Sequence, residues 1–195
     1  FMDADLTEWD THFVPGLLGP LLSDPQVQLV KGFYERPGAD GPLEGGRVTE
    51  LVARPLIALL FPFLGELVQP LAGEWAVRRS WFAGLPVPTG YAVELAALVD
   101  TVRAAGPDAV VQVDLGVRAH RHQALRDLGG MATQIIAAAL ARSGVELPGD
   151  EPGGDGAGRA GAAPEAAELR QYLRGLEPVT RVVPTLERPP AEAYL

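Results

Sequence analysis

The chain has 195 residues, 47% apolar and 21% charged, which is the composition of a folded domain with a real core and excludes wholesale disorder. Its net charge of −9 argues against a general nucleic-acid surface, which needs clustered Lys and Arg, although a cation can still bind locally. The absence of cysteine excludes disulfides and thiolate metal sites and suits a reducing cytoplasm.

Phe1-Met2 followed by Asp3-Ala4-Asp5 reads as the end of a strand carrying two carboxylates, the hard ligands that Mg²⁺ or Mn²⁺ prefer. An Asx-turn or helix N-cap before Leu6-Thr7-Glu8 is the plainer alternative. A chain that opens in the last residues of a strand is expected to be a fragment. Phe13, Leu17, Leu18, Leu21 and Leu22 then fit an amphipathic helix, provided Pro15 lies in its first turn. Residues 27–34 read as a buried strand. Residues 35–46 are loop chemistry and end on Gly45-Gly46, just before a helical pattern that opens at Arg47-Val48-Thr49-Glu50.

The most apolar run, residues 51–67, is broken by Arg54, Pro55, Pro62 and Glu66, so it predicts a core helix and no membrane insertion. A short strand is expected over 66–70, a helix over 75–82, turns over 85–89, a helix over 91–105, a strand over 109–115 and a long helix over 125–142. Residues 146–165 are Gly, Ala, Pro, Asp and Glu with almost no large apolar side chain, which predicts a flexible linker. Beyond it a short helix over 166–176 and an extended tail to the end of the chain at residue 195 are expected. Strands alternating with helices give an α/β layered sheet, with residues 1–145 as its main part.

Three further constellations carry chemistry. Gly45-Gly46-Arg47-Val48-Thr49 sets backbone N–H groups, a helix dipole and a guanidinium where an anion can bind; an ordinary helix start is the alternative. Arg118-Ala119-His120-Arg121-His122 follows a strand's C-terminal end, where open α/β sheets place ligands, and concentrates two of the three histidines; a solvated basic loop is the alternative. Glu74, and Tyr91 with Glu94 on one helical face, offer acceptors for hydroxyls and a flat surface for a sugar ring, against a surface acid and a core aromatic. Trp9, Trp75 and Trp81 read as core or interface anchors.

Taken in order, Asp3-Ala4-Asp5, residues 28–34 (QLVKGFY), residues 45–56 (GGRVTELVARPL), Gln69-Pro70-Leu71-Ala72-Gly73-Glu74, Gly90-Tyr91-Ala92-Val93-Glu94 and residues 114–121 (DLGVRAHR) resemble the actinobacterial glucosyl-3-phosphoglycerate synthases, which are retaining GT-A glycosyltransferases. The resemblance implies a GT-A fold, Rossmann-like, with a mixed sheet flanked by helices and truncated at its N-terminus. It also implies transfer of glucose from UDP-glucose to 3-phosphoglycerate with a divalent metal, Mg²⁺ or Mn²⁺, in a cytoplasmic homodimer. By position, Asp5 and His120 would hold the metal, with Asp3 near the nucleotide. Leu71, Glu74, Tyr91 and Glu94 would line the donor, and Gly46, Arg47, Val48 and Thr49 would bind the acceptor, with His122 beside them where the family usually has Asn. Glu94 and Arg118 would be the catalytic groups, Arg118 facing the anionic ligands. The family's nucleotide-binding half is not in the sequence, so this chain alone is expected to bind UDP-glucose poorly. A GT-A transferase with another donor, such as GDP-mannose, or another acceptor stands as an alternative, and so does a non-catalytic binding or scaffold domain.

Overall fold

The computed structural model describes residues 1–3, 10–35, 46–117, 125–145, 164–172 and 175–194. Helix α1, Phe13–Ser23, buries Phe13, Leu17 and Leu21, the stripe expected from their spacing, and Pro15 falls in its first turn. Strand β1, Leu29–Glu35, is the centre of a three-stranded sheet. It pairs antiparallel with β2, Trp75–Val77, and parallel with β4, Val110–Val117.

Successive side chains of a strand point to opposite faces, so a central strand needs cover on both. Leu29 joins Ile57, Leu98 and Ile135 beneath α2 (Arg54–Leu60), α4 (Val93–Ala105) and α5 (Leu125–Ser143). Val30 and Tyr34 turn the other way, onto Phe13, Leu17 and Leu21 of α1. The expected mixed sheet flanked by helices is what forms.

The helix expected from Arg47 begins there, but Thr49–Ala53 is a wide π-helical turn before α2. Pro55 explains the widening: it donates no N–H, and its ring presses on the carbonyl four residues back, so a looser turn relieves the clash.

Three elements differ from the sequence expectation. Residues 66–70 form bends rather than a strand. There the Gln69 side chain takes the place of a strand, because its Oε1 accepts the Tyr34 N–H at 3.2 Å and its Nε2 donates to the Tyr34 carbonyl. Residues 75–82 split into β2 and a one-turn helix α3, Arg79–Ala83. The aromatic and β-branched ends of Trp75-Ala76-Val77 suit pairing with β1, and Arg78 breaks off the strand by donating to the carbonyls of Leu21, Asp24 and Val27.

The helix expected over 166–176 is the third. Ala166–Gln171 is strand β5, paired antiparallel with β6, Val179–Pro184, from Ala166 opposite Pro184 to Gln171 opposite Val179. Its residues are good helix formers, but the Val-rich β6 offers a full ladder, and pairing overrides propensity. The hairpin lies tight on α5, where a Cβ at Gly129 would stand only 3.2 Å from Leu169 Cδ2. Further on, β7, Glu187–Arg188, pairs with β3, Val87–Pro88, inside the segment expected to be turns. Of the expected linker, residues 146–163 lie outside the described residues.

Arg142 fastens this return. Its side chain is 7% exposed, it grips Asp100 of α4 through Nε at 2.9 Å and Nη2 at 2.8 Å, and it also binds Glu187 of β7. Removing one partner of a buried pair leaves charge without compensation. Arg142→Met is therefore expected to lower stability by about 3 kcal/mol in urea denaturation. Gly32→Ala tests the sheet itself: a Cβ there would meet Leu115 Cδ1 at 2.6 Å and the Glu74 carbonyl oxygen at 2.9 Å. A loss of about 1–3 kcal/mol is expected, and an unchanged urea midpoint would show that β1 can move away from its neighbours.

Candidate functional site

Because β1 and β4 are parallel, their C-terminal ends share one edge of the sheet, the edge at which open α/β sheets bind ligands. The register sets Glu35 opposite Val117, so the segment leading to Gly46 and the segment carrying Arg118, His120 and His122 start side by side. Arg118, His120, His122, Asp5 and Trp9 themselves lie outside the described residues.

Two residues in from the start of β1 a lysine is buried in the sheet. Lys31 is 1% exposed; its Nζ donates to the Ala72 carbonyl and stands 5.7 Å from the centre of the Trp75 ring. Acids gather about it. Glu74, fully buried, immediately precedes β2 and accepts the Gly32 N–H on its carbonyl at 2.9 Å. Glu94 lies in the first turn of α4. The Asp3 carboxylate packs so closely on Gly73 that any side chain there would collide with it.

Burial pushes the Glu94 carboxyl above its ordinary value; Lys31 pulls it back down, while Asp3 and Glu74 push it further up. Asp3 and Glu74, which the sequence sets well apart from Glu94, thus both act on it. Lys31 was not singled out from the sequence as a site residue. Its signal was there, a charged side chain inside a buried strand pattern, which demands partners.

Leu71 is half-buried and packs against the core that holds Trp75 and Leu95. Tyr91 is 53% exposed, so it is not the core aromatic of the plainer reading. Its backbone N–H is held at 3.0 Å by Oε1 of Gln134 on α5, a second residue that the spacing did not reveal. Trp75 is a core anchor as expected, and Trp81 is half-buried with its indole N–H on the Thr101 hydroxyl at 3.0 Å.

On the anion side, Gly46 has φ = 91°, a left-handed conformation that favours glycine, and its carbonyl accepts the Glu50 N–H. Arg47 is half-buried, whereas Val48 and Thr49 are buried, Val48 in the larger core. Val48 therefore turns its side chain inward and offers only backbone to a ligand. Among the described residues, no three His, Cys, Asp or Glu side chains are placed to hold a metal, and the expected ligands Asp5 and His120 fall outside that set.

The raised Glu94 carboxyl carries a sign. Ionised Glu94 costs folding stability; the cost is absent below the unfolded carboxylate range, grows as pH rises toward the folded value, and is complete above it. Glu94→Gln is accordingly expected to raise the thermal midpoint relative to the parent at about pH 8 and to lose that advantage at about pH 4, as read by circular dichroism melts.

No family model matches the chain. Among curated proteins it is similar to the glucosyl-3-phosphoglycerate synthase of Mycolicibacterium smegmatis, at 51% identity over 76% of this chain and 50% of that one. It is also similar to the enzyme of the same name from Mycolicibacterium paratuberculosis, at 43% identity over 99% of this chain and 57% of that one. Among solved structures, it superposes on the Mycobacterium tuberculosis glucosyl-3-phosphoglycerate synthase in complex with Mn²⁺, UDP-glucose and phosphoglyceric acid with a TM-score of 0.82 at 42% identity, covering 100% of this chain and 60% of that one. The complex of that enzyme with phosphoglyceric acid alone gives a TM-score of 0.81. The chain thus spans about half to three-fifths of the length of the relatives it matches, and its sheet and flanking helices are those of a GT-A fold.

Proposed function

Given that this chain is a homologue of the glucosyl-3-phosphoglycerate synthases over nearly its whole length, we propose that it serves an enzyme moving glucose from UDP-glucose to the hydroxyl of 3-phosphoglycerate with retention, and that residues 1–145 carry the sugar, acceptor and metal sites. The observation that carries this reading is that Asp3, Glu74 and buried Lys31 all act on Glu94, three residues after an exposed Tyr91. Ionised carboxylates accept sugar hydroxyls, and an aromatic ring gives the sugar a flat wall.

In this reading Glu74, Glu94, Leu71 and Tyr91 line the donor glucose, with Asp3 toward the nucleotide. Gly46, Arg47 and the backbone of Val48 and Thr49 bind the acceptor's phosphate and carboxylate, joined by His122. The guanidinium, the backbone N–H groups and the helix dipole all favour an anion, which explains how an acidic chain takes an anionic acceptor. Arg118 steadies the charge that develops on the anionic ligands. Asp5 and His120 hold the divalent ion, Mg²⁺ or Mn²⁺, a carboxylate and imidazole set that suits either; when bound, the ion neutralises the departing diphosphate.

A cytoplasmic homodimer fits the same reading. Tyr172, Leu176 and Val182 of the β5–β6 hairpin are exposed and available for a second copy, and among the described residues no helix is long and apolar enough to cross a membrane.

Assay of the full-length protein tests the proposal. UDP is expected to be released from UDP-glucose in the presence of Mn²⁺, faster with 3-phosphoglycerate, and not at all in His120→Ala. Release from GDP-mannose instead would replace the donor in this reading, and no release from any sugar nucleotide would leave a binding domain in its place.

A further inference from the structure

Tyr91 stands in the turn that leads into α4, and Glu94 in the first turn of that helix. Gly90 is left-handed, with φ = 79°, and the turn receives its fixed points from the other end of the chain. Gln134, 8% exposed on α5, lies so close to Gly90 that a side chain there would collide with its amide. Its Oε1 accepts the Tyr91 N–H at 3.0 Å, and its Nε2 donates to the Pro184 carbonyl of β6 at 2.8 Å. Two residues further along, the Leu186 carbonyl accepts both the Thr89 N–H, at 2.9 Å, and the Thr89 hydroxyl, at 3.0 Å. The turn is thus clamped between α5 and the C-terminal tail, with the Leu186 carbonyl on Thr89 and the Gln134 amide joining Tyr91 to Pro184.

We propose that Gln134 is a positioning residue for the donor sugar: its amide, oriented by the Pro184 carbonyl, fixes the Gly90–Tyr91 turn and with it the ring of Tyr91. The proposal deepens the glucosyltransferase reading and rests on it. A primary amide is the group the position needs, since it must accept from one backbone N–H and donate to one backbone carbonyl at the same time. Glutamate keeps the acceptor and, when ionised, loses the donor. Methionine keeps the volume and loses both.

The test is made in the full-length protein, by steady-state kinetics of Gln134→Met and Gln134→Glu with UDP-glucose and 3-phosphoglycerate, alongside hydrogen exchange at the Tyr91 amide and a thermal melt. Gln134→Met is expected to raise the KM for UDP-glucose on the order of five- to tenfold, to leave the KM for 3-phosphoglycerate unchanged, and to speed exchange at Tyr91. Gln134→Glu should fall between the parent and Gln134→Met. A merely structural role would lower kcat in step with the folded fraction and leave both KM values alone, and that result overturns the proposal. Fast Tyr91 exchange with an unchanged donor KM overturns it too, while the functional reading stands. A parent protein that transfers no sugar overturns the functional reading, and the donor role of Gln134 with it; Tyr91 exchange then reports only whether the amide holds the turn.

Discussion

Everything near the site follows from one constraint, a lysine in the middle strand of the sheet. At 1% exposure Lys31 cannot keep its charge without compensation, because a bare ammonium in a low-dielectric interior costs several kcal/mol. The antiparallel register supplies part of the answer locally: Lys31 lies opposite Trp75, so the residues just before β2 arrive beside β1, Ala72 with a carbonyl acceptor for the ammonium and Glu74 with its backbone carbonyl on Gly32. Helix α4 adds Glu94 from the larger core. The same convergence that makes the lysine tolerable leaves a cluster of acids inside an otherwise apolar sheet, which is the raw material of a polyhydroxyl site.

Close packing and site geometry are therefore one problem in this molecule. Gly32 is small because Leu115 of β4 closes on it from one side and the Glu74 backbone from the other. Widening that gap would move the Glu74 backbone away from β1 and would also shift β4, whose end sets the start of the segment carrying Arg118 and His120. The parallel pairing of β1 with β4 does the complementary work at the edge. By holding Glu35 against Val117 it brings together two stretches that are over eighty positions apart in the chain.

The elements legible in the sequence were those whose burial pattern is local. Helix α1 shows its stripe of Phe13, Leu17 and Leu21, β1 reads as a buried strand and β4 as a strand, and α4 and α5 keep long apolar periodicity. Those that were misread take their form from a distant partner. Trp75-Ala76-Val77 becomes strand because β1 has an open side, and Ala166–Gln171 becomes strand because β6 needs a ladder. The candidate site divided in the same way. Asp3, Glu74, Tyr91 and Glu94 announced themselves by residue type, and the structure sets their acids in mutual reach. Lys31 and Gln134 were passed over because neither sits in a motif; what marks them is the polar group they satisfy across the fold.

The C-terminal segment shows why that distinction matters. Its ion pair to Arg142, its strand pairing with Val87–Pro88 and its bond to Gln134 all join residues some forty to a hundred positions apart, so none of them forms until the main sheet and α5 are in place. Contacts of that kind carry the largest loop-closure cost and the least local support, and they open before the core does. Opening the tail would remove the Leu186 bonds to Thr89 and the Pro184 carbonyl that orients Gln134, while leaving Lys31, Glu74 and the sheet intact. The acids of the site are thus held by the core, whereas the Tyr91 turn depends on Gln134 of α5 and, through Pro184, on the tail, so the two parts of the site have different stabilities.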